Sequence, residues 1–513
     1  MDMTLMVDVK RRRRLHRAWL VAGVAFVAIV GAAGFRATPG VLITPLEEEF
    51  GWTRGTISLA VSVNLVLYGL TAPFAAALMD RLGMRRVVAC ALLLVALGSG
   101  LTVFMTASWQ LVACWGVLVG LGTGSMALVF VATVTDRWFV RHRGIVTGVL
   151  TAGGAAGQLV FLPVLALIAE GPGWRVAATV VAAAALAVVP LVWLLLRDRP
   201  EDVGLTALGA EPARTGAVDG AVRLGKAEPG AGGSGAPLGG AEPRPEATEA
   251  RTGRSGVRDE GVGVRSGVTA AARGGGVRSG SAAARGGGVR SGSAAVRALT
   301  VLRSAARTRS FWFLAGGFAI CGASTNGLVG THFIPAAHDH GMPQTTAAGL
   351  LALIGIFDIA GTIFSGWLSD RVDPRILLAS YYALRGASLL VLPMLFAATT
   401  EPSMLIFIIF YGLDWVATVP PTVALCRTIY GPDGAVVFGW VFASHQIGAA
   451  IAAVAAGVTR DHLGHYNAAW YGAGLLCAFA AIMSLRVAKG GGTPPKADPL
   501  PQPVVTAGTG TPP

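Results

Sequence analysis

The chain has 513 residues, of which 53% are hydrophobic and 13% are charged, and its formal net charge is +13 at pH 7. Its mean hydropathy is +0.61, which represents more apolar surface than a water-soluble globule can bury, so the composition excludes a soluble protein and predicts one that uses lipid as its solvent. The apolar runs are long and uninterrupted, and backbone groups in hydrocarbon must bond within their own segment, so the spans are predicted to be helices.

Twelve apolar stretches of the length that crosses a bilayer, roughly 20 residues, follow one another along the chain. They are predicted at about residues 18–42, 55–79, 87–106, 109–132, 144–168 and 174–196, and again at about residues 311–335, 346–369, 375–397, 402–426, 434–457 and 466–487. The predicted fold is therefore an all-α membrane protein of twelve transmembrane helices, arranged as two six-helix bundles at residues 18–204 and 310–488.

Lys and Arg flank the predicted spans mainly on one side. They are concentrated in the basic N-terminus, residues 1–17, and in the loops after spans 2, 4 and 8, whereas the opposite loops hold mostly Asp and Glu. Because cytoplasmic loops carry an excess of Lys and Arg, both termini are predicted to be cytoplasmic. The predicted location is the inner (plasma) membrane of the cell.

A short loop motif occurs twice, each time after the second span of a half. Residues 76–86 read AALMDRLGMRR and residues 366–375 read GWLSDRVDPR. The same loop has thus been built after the second span of two similar halves, which is typical of a duplicated transporter.

The segment between the halves, residues 205–309, has a different composition. It is rich in Gly, Ala, Ser and Arg, with 16 Lys and Arg against 8 Asp and Glu, and it is predicted to be a disordered linker because it cannot bury enough apolar surface to offset its ordering entropy. Binding to RNA or to anionic lipid is an alternative for Arg-Gly repeats. No nucleic acid is expected, because no aromatic residues are interleaved, but the linker could lie near anionic headgroups. The Pro-rich tail, residues 489–513, is also predicted to be disordered.

The cysteines have neither disulfide spacing nor metal-ligand spacing. The sequence also lacks a Gly-rich phosphate loop, an HExxH helix and a nucleophile elbow. No cofactor, metal site or enzymatic activity is therefore predicted, and the energy for transport would come from a gradient. The cysteines, all in predicted spans, are Cys90, Cys114, Cys321, Cys426 and Cys477.

Two cations inside predicted spans are candidate substrate-binding residues, since an ionisable side chain in a membrane is costly. Arg36 and His332 each lie three residues before a proline, in spans 1 and 7, which correspond under the duplication. A guanidinium stays charged and offers two parallel donors to a carboxylate, so Arg36 is predicted to bind the substrate and His332 to assist. The alternatives are an Arg that reaches the headgroups and a His that only packs between helices.

Three further ionisable residues form the predicted proton-coupling set. Asp358 lies near the middle of span 8, where a charged carboxylate is costly, so it is predicted to exchange the proton. Arg385 pairs with either Asp358 or Asp414, or it supplies a cation to the substrate. A pair with Asp358 would keep that carboxylate ionised, and it would then carry no proton.

Four neutral polar side chains in the spans are predicted to line the cavity as hydrogen-bonding groups. Each of them could equally join one helix to another. They are Asn64, Tyr68, Gln158 and Asn326.

The loop motifs resemble the signature of the major facilitator superfamily, Gly-x-Leu-x-Asp-Arg-x-Gly-Arg-Arg. The matching residues are Leu78, Asp80, Arg81, Gly83 and Arg85 in the first copy, and Gly366, Leu368, Asp370, Arg371 and Arg375 in the second. Within that superfamily the chain is similar to bacterial members of the monocarboxylate-transporter-like group, at residues 34–40, 143–153, 199–205, 325–332 and 381–386.

The resemblance implies two bundles that rock around a site near the membrane midplane and so give alternating access. It also implies that the loop residues form contacts between the halves that hold one access state. The alternative is that they only set the topology. These predicted gating residues are Asp80, Arg81, Arg85, Asp370 and Arg371.

The chain departs from the better-known eukaryotic monocarboxylate transporters at two positions. Those proteins have an Arg one turn after the Asp of span 8 and a Lys in span 1, whereas this chain has Thr362 and Gly40 there. The predicted function is a proton-coupled secondary carrier of a small monocarboxylate or similar organic anion. Two alternatives stay open: a proton-antiport exporter of drug-like compounds, and a non-transporting membrane sensor or scaffold that signals through the linker.

Overall fold

The computed structural model describes residues 16–126, 128–210 and 291–488. The predicted tail, most of the predicted linker and nearly all of the basic N-terminus lie outside these ranges. Within them the chain is helical, with a single isolated bridge between Phe139 and Leu208.

The first half consists of six long helical segments. Their bounds are α1 Arg17–Phe50, α2 Arg54–Leu82, α3 Met84–Leu101, α4 Ser108–Trp138, α5 Arg143–Glu170 and α6 Trp174–Leu195. Local sequence sets the junctions: α1 ends at Gly51, which takes the left-handed conformation (φ 65°), and the Thr53 side chain caps α2 by accepting from the Thr56 N–H.

The second half repeats the pattern and is preceded by one additional helix. The bounds are α7 Ser291–Ala305, α8 Arg309–Asp339, α9 Gln344–Ser369, α10 Pro374–Val391, α11 Pro402–Asp414, α12 Val419–Tyr430, α13 Gly434–Leu463 and α14 Asn467–Leu485.

Eleven segments of the described residues are long and apolar enough to cross a membrane. The longest, Pro402–Leu463, has 62 residues and contains α11, α12 and α13. A single helix of that length would measure about 90 Å, three times the hydrocarbon thickness, and the tight turn at Gly431–Asp433 divides it. The all-helical membrane fold is confirmed, and the count of twelve spans stays a prediction.

The ends of the helices define two faces of the molecule. The start of α2 lies with the ends of α8 and α13 at one face, which we call the Arg54 face after its contacts with Asp339 and Asp461. The end of α2 lies at the opposite face, which we call the Asp80 face.

The two halves meet mainly along two helix pairs, α2 against α13 and α5 against α9, with a smaller contact between α1 and α8. Glycines bring α2 and α13 close together. A Cβ placed on Gly457 would lie 2.8 Å from the backbone oxygen of Arg54, and one on Gly69 would lie 2.7 Å from the Cβ of Gln446. Any side chain at these two positions would separate the halves, so small residues determine this approach.

The helix that forms the fourth span of the second half is broken between α11 and α12. Pro420 and Pro421 have no N–H, so the carbonyls of Val416 and Ala417 lose the donors that a continuous helix would supply. The Val419 N–H donates to the Val416 oxygen at 2.9 Å, and the Ser365 hydroxyl donates to the Ala417 oxygen at 2.5 Å. The break is therefore compensated within the protein, as membrane depth requires.

Both described ends of the predicted linker are folded. Leu208 exchanges backbone hydrogen bonds with Trp138 and Val140, which fixes residues 205–210 beside the loop between α4 and α5. At the other end α7 is a helix where the sequence predicted disorder, because Val301 and Ala305 find apolar partners in the cluster around Phe311.

Candidate substrate and proton site

A small cavity lies between the halves, near the middle of the helices that line it. Gln158 and Leu162 of α5 face residues of α9, with Asp358 among them, and Gly330 and Trp415 complete the wall. The volume available to the centre of a water molecule is about 20 Å³, which is room for about one water. The cavity is therefore too small, as it stands, to hold an organic anion.

Asp358 is the carboxylate in the cavity wall. Its Oδ1 accepts from the Thr362 hydroxyl at 3.1 Å and from the Val416 N–H at 3.0 Å. The second donor belongs to the break between α11 and α12, so the acid is bonded to the irregular backbone. Among the described residues Asp358 has no salt bridge.

The neighbouring acid, Asp414, has a cation. Arg385 Nε donates to Asp414 Oδ2 at 2.6 Å, and both side chains are buried. The same guanidinium donates to the backbone oxygens of Asp414 and Trp415, at 2.6 and 3.2 Å. Of the two acids that the sequence left open as partners of Arg385, the structure has Asp414. Arg385 therefore neutralises Asp414, and Asp358 has no countercharge among the described residues.

At the Arg54 face a buried network joins the two halves. Arg54 is 3% exposed, and it forms a bidentate pair with Asp339 of the other half, each N···O distance being 2.8 Å. Its Nε donates to Glu47 at 2.8 Å, and Arg460 also donates to Asp339 at 2.8 Å. A bidentate buried pair of this kind is among the strong hydrogen-bonded contacts in proteins.

Two carboxylates at the same face bind helix N-termini of the opposite half. Asp461, near the end of α13, accepts from the backbone N–H groups of Arg54 and Gly55 at 3.0 and 2.8 Å. Glu170, at the end of α5, accepts from the Thr345 N–H at 2.9 Å, at the start of α9. The two contacts are equivalent under the duplication, and each places a negative charge at a positive helix end.

His332 is fully buried beneath this network rather than in the cavity wall. Its Nε2 donates to the Ala453 oxygen at 2.8 Å, because a carbonyl can only accept, and its Nδ1 lies 3.1 Å from the Tyr466 hydroxyl. A neutral imidazole has one donor and one acceptor nitrogen, so Nδ1 is the acceptor and the Tyr466 hydroxyl donates to it. Arg54 donates to the same hydroxyl oxygen at 3.0 Å, which links His332 to the Arg54 network.

The predicted neutral cavity residues take different positions. Gln158 lines the cavity. Asn64 donates to the Trp115 oxygen at 2.8 Å and joins α2 to α4, Tyr68 packs near Phe442 with ring centroids 6.2 Å apart, and Asn326 lies in a π-helical stretch of α8. Their role in binding substrate stays a prediction.

Arg36, the residue predicted to bind the substrate, lies within α1, and its side chain is outside the part that the structure describes. No group of three or more metal-ligating side chains occurs among residues 16–126, 128–210 and 291–488.

The predicted gating residues at the Asp80 face make contacts within their own halves. Asp80 pairs with Arg137 at 2.5 Å, and the Arg371 guanidinium lies 4.1 Å from the centre of the Trp367 ring. The Arg85 N–H donates to Asp198 at 2.7 Å. Arg81 and Asp370 are exposed. The predicted contacts of these gating residues between the halves stay a prediction, which concerns another access state.

The charge pattern alone did not identify Arg54 and its partners as a network. An Arg at the start of a span, and the acidic residues in the loops around it, are both explained by membrane topology without any contact between them. The signal that could have found the network is the contrast between one cation and many acids at this side of the membrane. An isolated Arg at the start of a span, among loops that carry Glu47, Asp339 and Asp461, indicates an acidic partner.

Comparison with known proteins agrees with the family resemblance seen in the sequence. Residues 24–435 and 333–509 match the family model of the Major Facilitator Superfamily. The uncharacterized MFS-type transporter YcxA of Bacillus subtilis is 21% identical over 449 residues, which cover 86% of this chain and 88% of that protein. Human monocarboxylate transporter 7 is 31% identical over 159 residues, which cover 31% of this chain and 30% of the human protein.

Two solved structures share the fold. The xylose transporter XylE from E. coli, in a partially occluded inward open conformation, superimposes with a TM-score of 0.60 at 12% identity, over 93% of this chain and 99% of that one. A D-xylose-proton symporter superimposes with a TM-score of 0.62 at 11% identity, over 93% of this chain and 99% of that one. At such low identity these similarities show the architecture alone.

Proposed function

Because the chain belongs to the Major Facilitator Superfamily and is a multi-pass membrane transporter, we propose that it carries a small monocarboxylate or similar organic anion together with a proton. Transport proceeds by alternating access. The protein lies in the inner membrane of the cell. Its Arg54 face points outward and its Asp80 face points to the cytoplasm, as the distribution of Lys and Arg predicts.

The observation that carries the proton coupling is the environment of Asp358. It lines a cavity between the halves, near the middle of α9, and it has no ion pair among the described residues, whereas the adjacent Asp414 is neutralised by Arg385. A carboxylate without a countercharge in a low-dielectric site is stabilised by taking up a proton. Asp358 is therefore the proton-carrying residue, and Arg385 and Asp414 support the broken helix beside it.

Alternating access is supported by the state of the Arg54 face. The network around Arg54 and the two carboxylate contacts with helix ends join the halves there, and the cavity has room for about one water. A substrate anion enters only after the halves separate. The conformation is therefore closed at the Arg54 face, and the Arg54 network must break before the cavity can open to that face.

The substrate class is supported by the names of relatives and by one neutral polar side chain in the cavity wall. Curated monocarboxylate transporters match about a third of the chain. Arg36 is proposed to hold the carboxylate as a bidentate partner, and the Gln158 amide offers a neutral donor in the cavity wall.

The test is uptake of labelled carboxylates by the full-length protein in proteoliposomes with an imposed pH gradient. The wild-type protein should accumulate an organic anion when the outside is acidic. Asp358→Asn should lose this accumulation but keep exchange of internal for external substrate, because exchange needs no net proton movement. Glu401→Gln, an exposed loop acid converted in the same way, is the matched control and should retain both activities.

Two outcomes would contradict parts of this function. If Asp358→Asn still concentrates the anion, Asp358 does not carry the proton. If no organic anion accumulates and a hydrophobic cation is extruded instead, in a reaction that survives Arg36→Ala, the protein is a proton-antiport exporter and the proposed substrate class is wrong.

A further inference from the structure

α7 is an amphipathic helix outside the spans, and one of its faces is held by the protein. Ala298, Val301 and Ala305 are less than a tenth exposed. The Trp440 indole N–H donates to the Ala298 oxygen at 3.0 Å, and Arg297 pairs with Asp433 at 3.0 Å. The spacing of three and four residues places the buried positions on one stripe of the helix.

The opposite face of α7 combines apolar and basic side chains. Val296 is 63% exposed and Leu299 is 52% exposed, and Arg303, one turn after Leu299, is exposed as well. Arg307, just after the helix, is also exposed. Large apolar groups beside exposed cations are unfavourable in water and favourable at a boundary between hydrocarbon and anionic headgroups.

The position of α7 places this face at that boundary. Three residues separate Ala305 from the start of the membrane-spanning α8 at Arg309, and a chain of this length reaches at most about 14 Å. Trp312, in the first turn of α8, is 60% exposed and donates to the Ala306 oxygen at 2.8 Å. Exposed tryptophans of spans are enriched at the interface between membrane and water, so α7 lies at headgroup depth.

We propose that the outward face of α7 is a binding site for anionic phospholipid headgroups. Val296 and Leu299 insert between the lipids, and Arg303 and Arg307 pair with their phosphates. α7 packs against α2 of the first half and α13 of the second, so lipid bound at this helix acts on both halves at the Asp80 face.

The test places an environment-sensitive fluorophore on α7 of the full-length protein. Leu299→Cys is labelled with acrylodan in a Cys90→Ser background, since Cys90 is the exposed cysteine and the other four are buried. The protein is then reconstituted into phosphatidylcholine vesicles with and without phosphatidylglycerol. Emission should shift to the blue when phosphatidylglycerol is present, and the shift should shrink as salt is added, because the attraction is electrostatic.

Charge variants make the test specific. The double variant Arg303→Glu and Arg307→Glu should abolish the dependence on phosphatidylglycerol, whereas the double variant Arg303→Lys and Arg307→Lys should keep it. A label at His465→Cys, an exposed position at the Arg54 face, should not respond to either variant.

Several outcomes would overturn the proposal. Equal emission in both vesicle types, or a shift that survives charge reversal, would show that headgroup charge is not what α7 binds. An emission that follows the protein-to-lipid ratio instead would show that the face packs against a second copy of the chain. If the double Glu variant fails to fold, the salt titration on the labelled protein without charge variants tests the same point, namely whether headgroup charge causes the shift.

Discussion

At the Arg54 face charged side chains join the two halves of the molecule, whereas at the Asp80 face they pair within one half. Arg54 binds Asp339 across the interface, but Asp80 binds Arg137 of its own half. Both faces belong to the same duplicated fold, so this difference reports the conformation rather than the composition. In the proposed alternating access, the contacts at the Arg54 face are those that must break, whereas the described pairs at the Asp80 face can stay intact because each lies within one half.

The largest expected effect follows from removing Arg54. Arg54→Ala removes the bidentate pair with Asp339 and the bond to Glu47, although Asp339 keeps Arg460. Truncation of one partner of such a charge pair costs about 2–5 kcal/mol, which corresponds to a shift of about thirtyfold or more toward the open state. The readout is alkylation of Ser58→Cys, a buried position on α2, by a membrane-impermeant maleimide in the Cys90→Ser background. Arg54→Lys should shift less, since it keeps the charge but loses the bidentate pair. An unchanged alkylation rate in Arg54→Ala would contradict the role of the network as a gate.

The second-largest effect is expected from a substitution of Gly83, at the Asp80 face. Gly83 has φ +88°, and a Cβ there would meet the Asp198 carboxylate that caps α3. Gly83→Ala should therefore lower the unfolding free energy by about 1–3 kcal/mol, measured as a lower thermal midpoint in detergent. Gly439→Ala, a helical glycine with open space around it, is the control and should have little effect. Faster alkylation of Ser58→Cys in Gly83→Ala would show that the two faces are not independent.

A smaller effect is expected from the carboxylates at the helix ends. Asp461→Asn and Glu170→Gln keep an acceptor oxygen but lose the charge at the N-termini of α2 and α9, a loss of about 0.3–1 kcal/mol each. Alkylation of Ser58→Cys should rise a fewfold at most. Asp461→Asn should have the larger effect because that residue accepts from two N–H groups. If it opens the face as fully as Arg54→Ala, the charge at the helix end, and not the bidentate pair, holds the halves together.

The smallest effect is expected from Asp80→Asn. The Asp80 side chain is 66% exposed, so its pair with Arg137 contributes about 0.2–1 kcal/mol and is screened by salt. The thermal midpoint should fall slightly at low ionic strength and match the wild-type value at high ionic strength. A large, salt-independent loss would mean that Asp80 contacts more than its own half.

The sequence predicted much of the architecture because hydropathy and flanking charge are local properties. The spans, the repeated loop and the position of Asp358 near the middle of a span can all be read from short windows. The break between α11 and α12 was also within reach, since Pro420 and Pro421 are adjacent in the middle of a predicted span and no helix continues unchanged through such a pair.

The contacts between the halves could not be predicted in the same way. Arg54 and Asp339 are 285 residues apart, and Arg54 and Asp461 are 407 apart, so nothing in a local window relates them. The choice of Asp414 as the partner of Arg385 likewise depends on how two non-adjacent helices pack. α7 was overlooked because low mean hydropathy conceals a stripe of a few apolar residues whose partners are in the rest of the fold.

The glycines where α2 crosses α13 have a mechanical consequence. At Gly457 and Gly69 the two helices touch through backbone and the base of one side chain, so at these two points no long side chain has to disengage when one half turns against the other. The proposed rocking of the halves can therefore pivot at these two close approaches, while the charged groups at the helix ends help to determine which orientation is favoured.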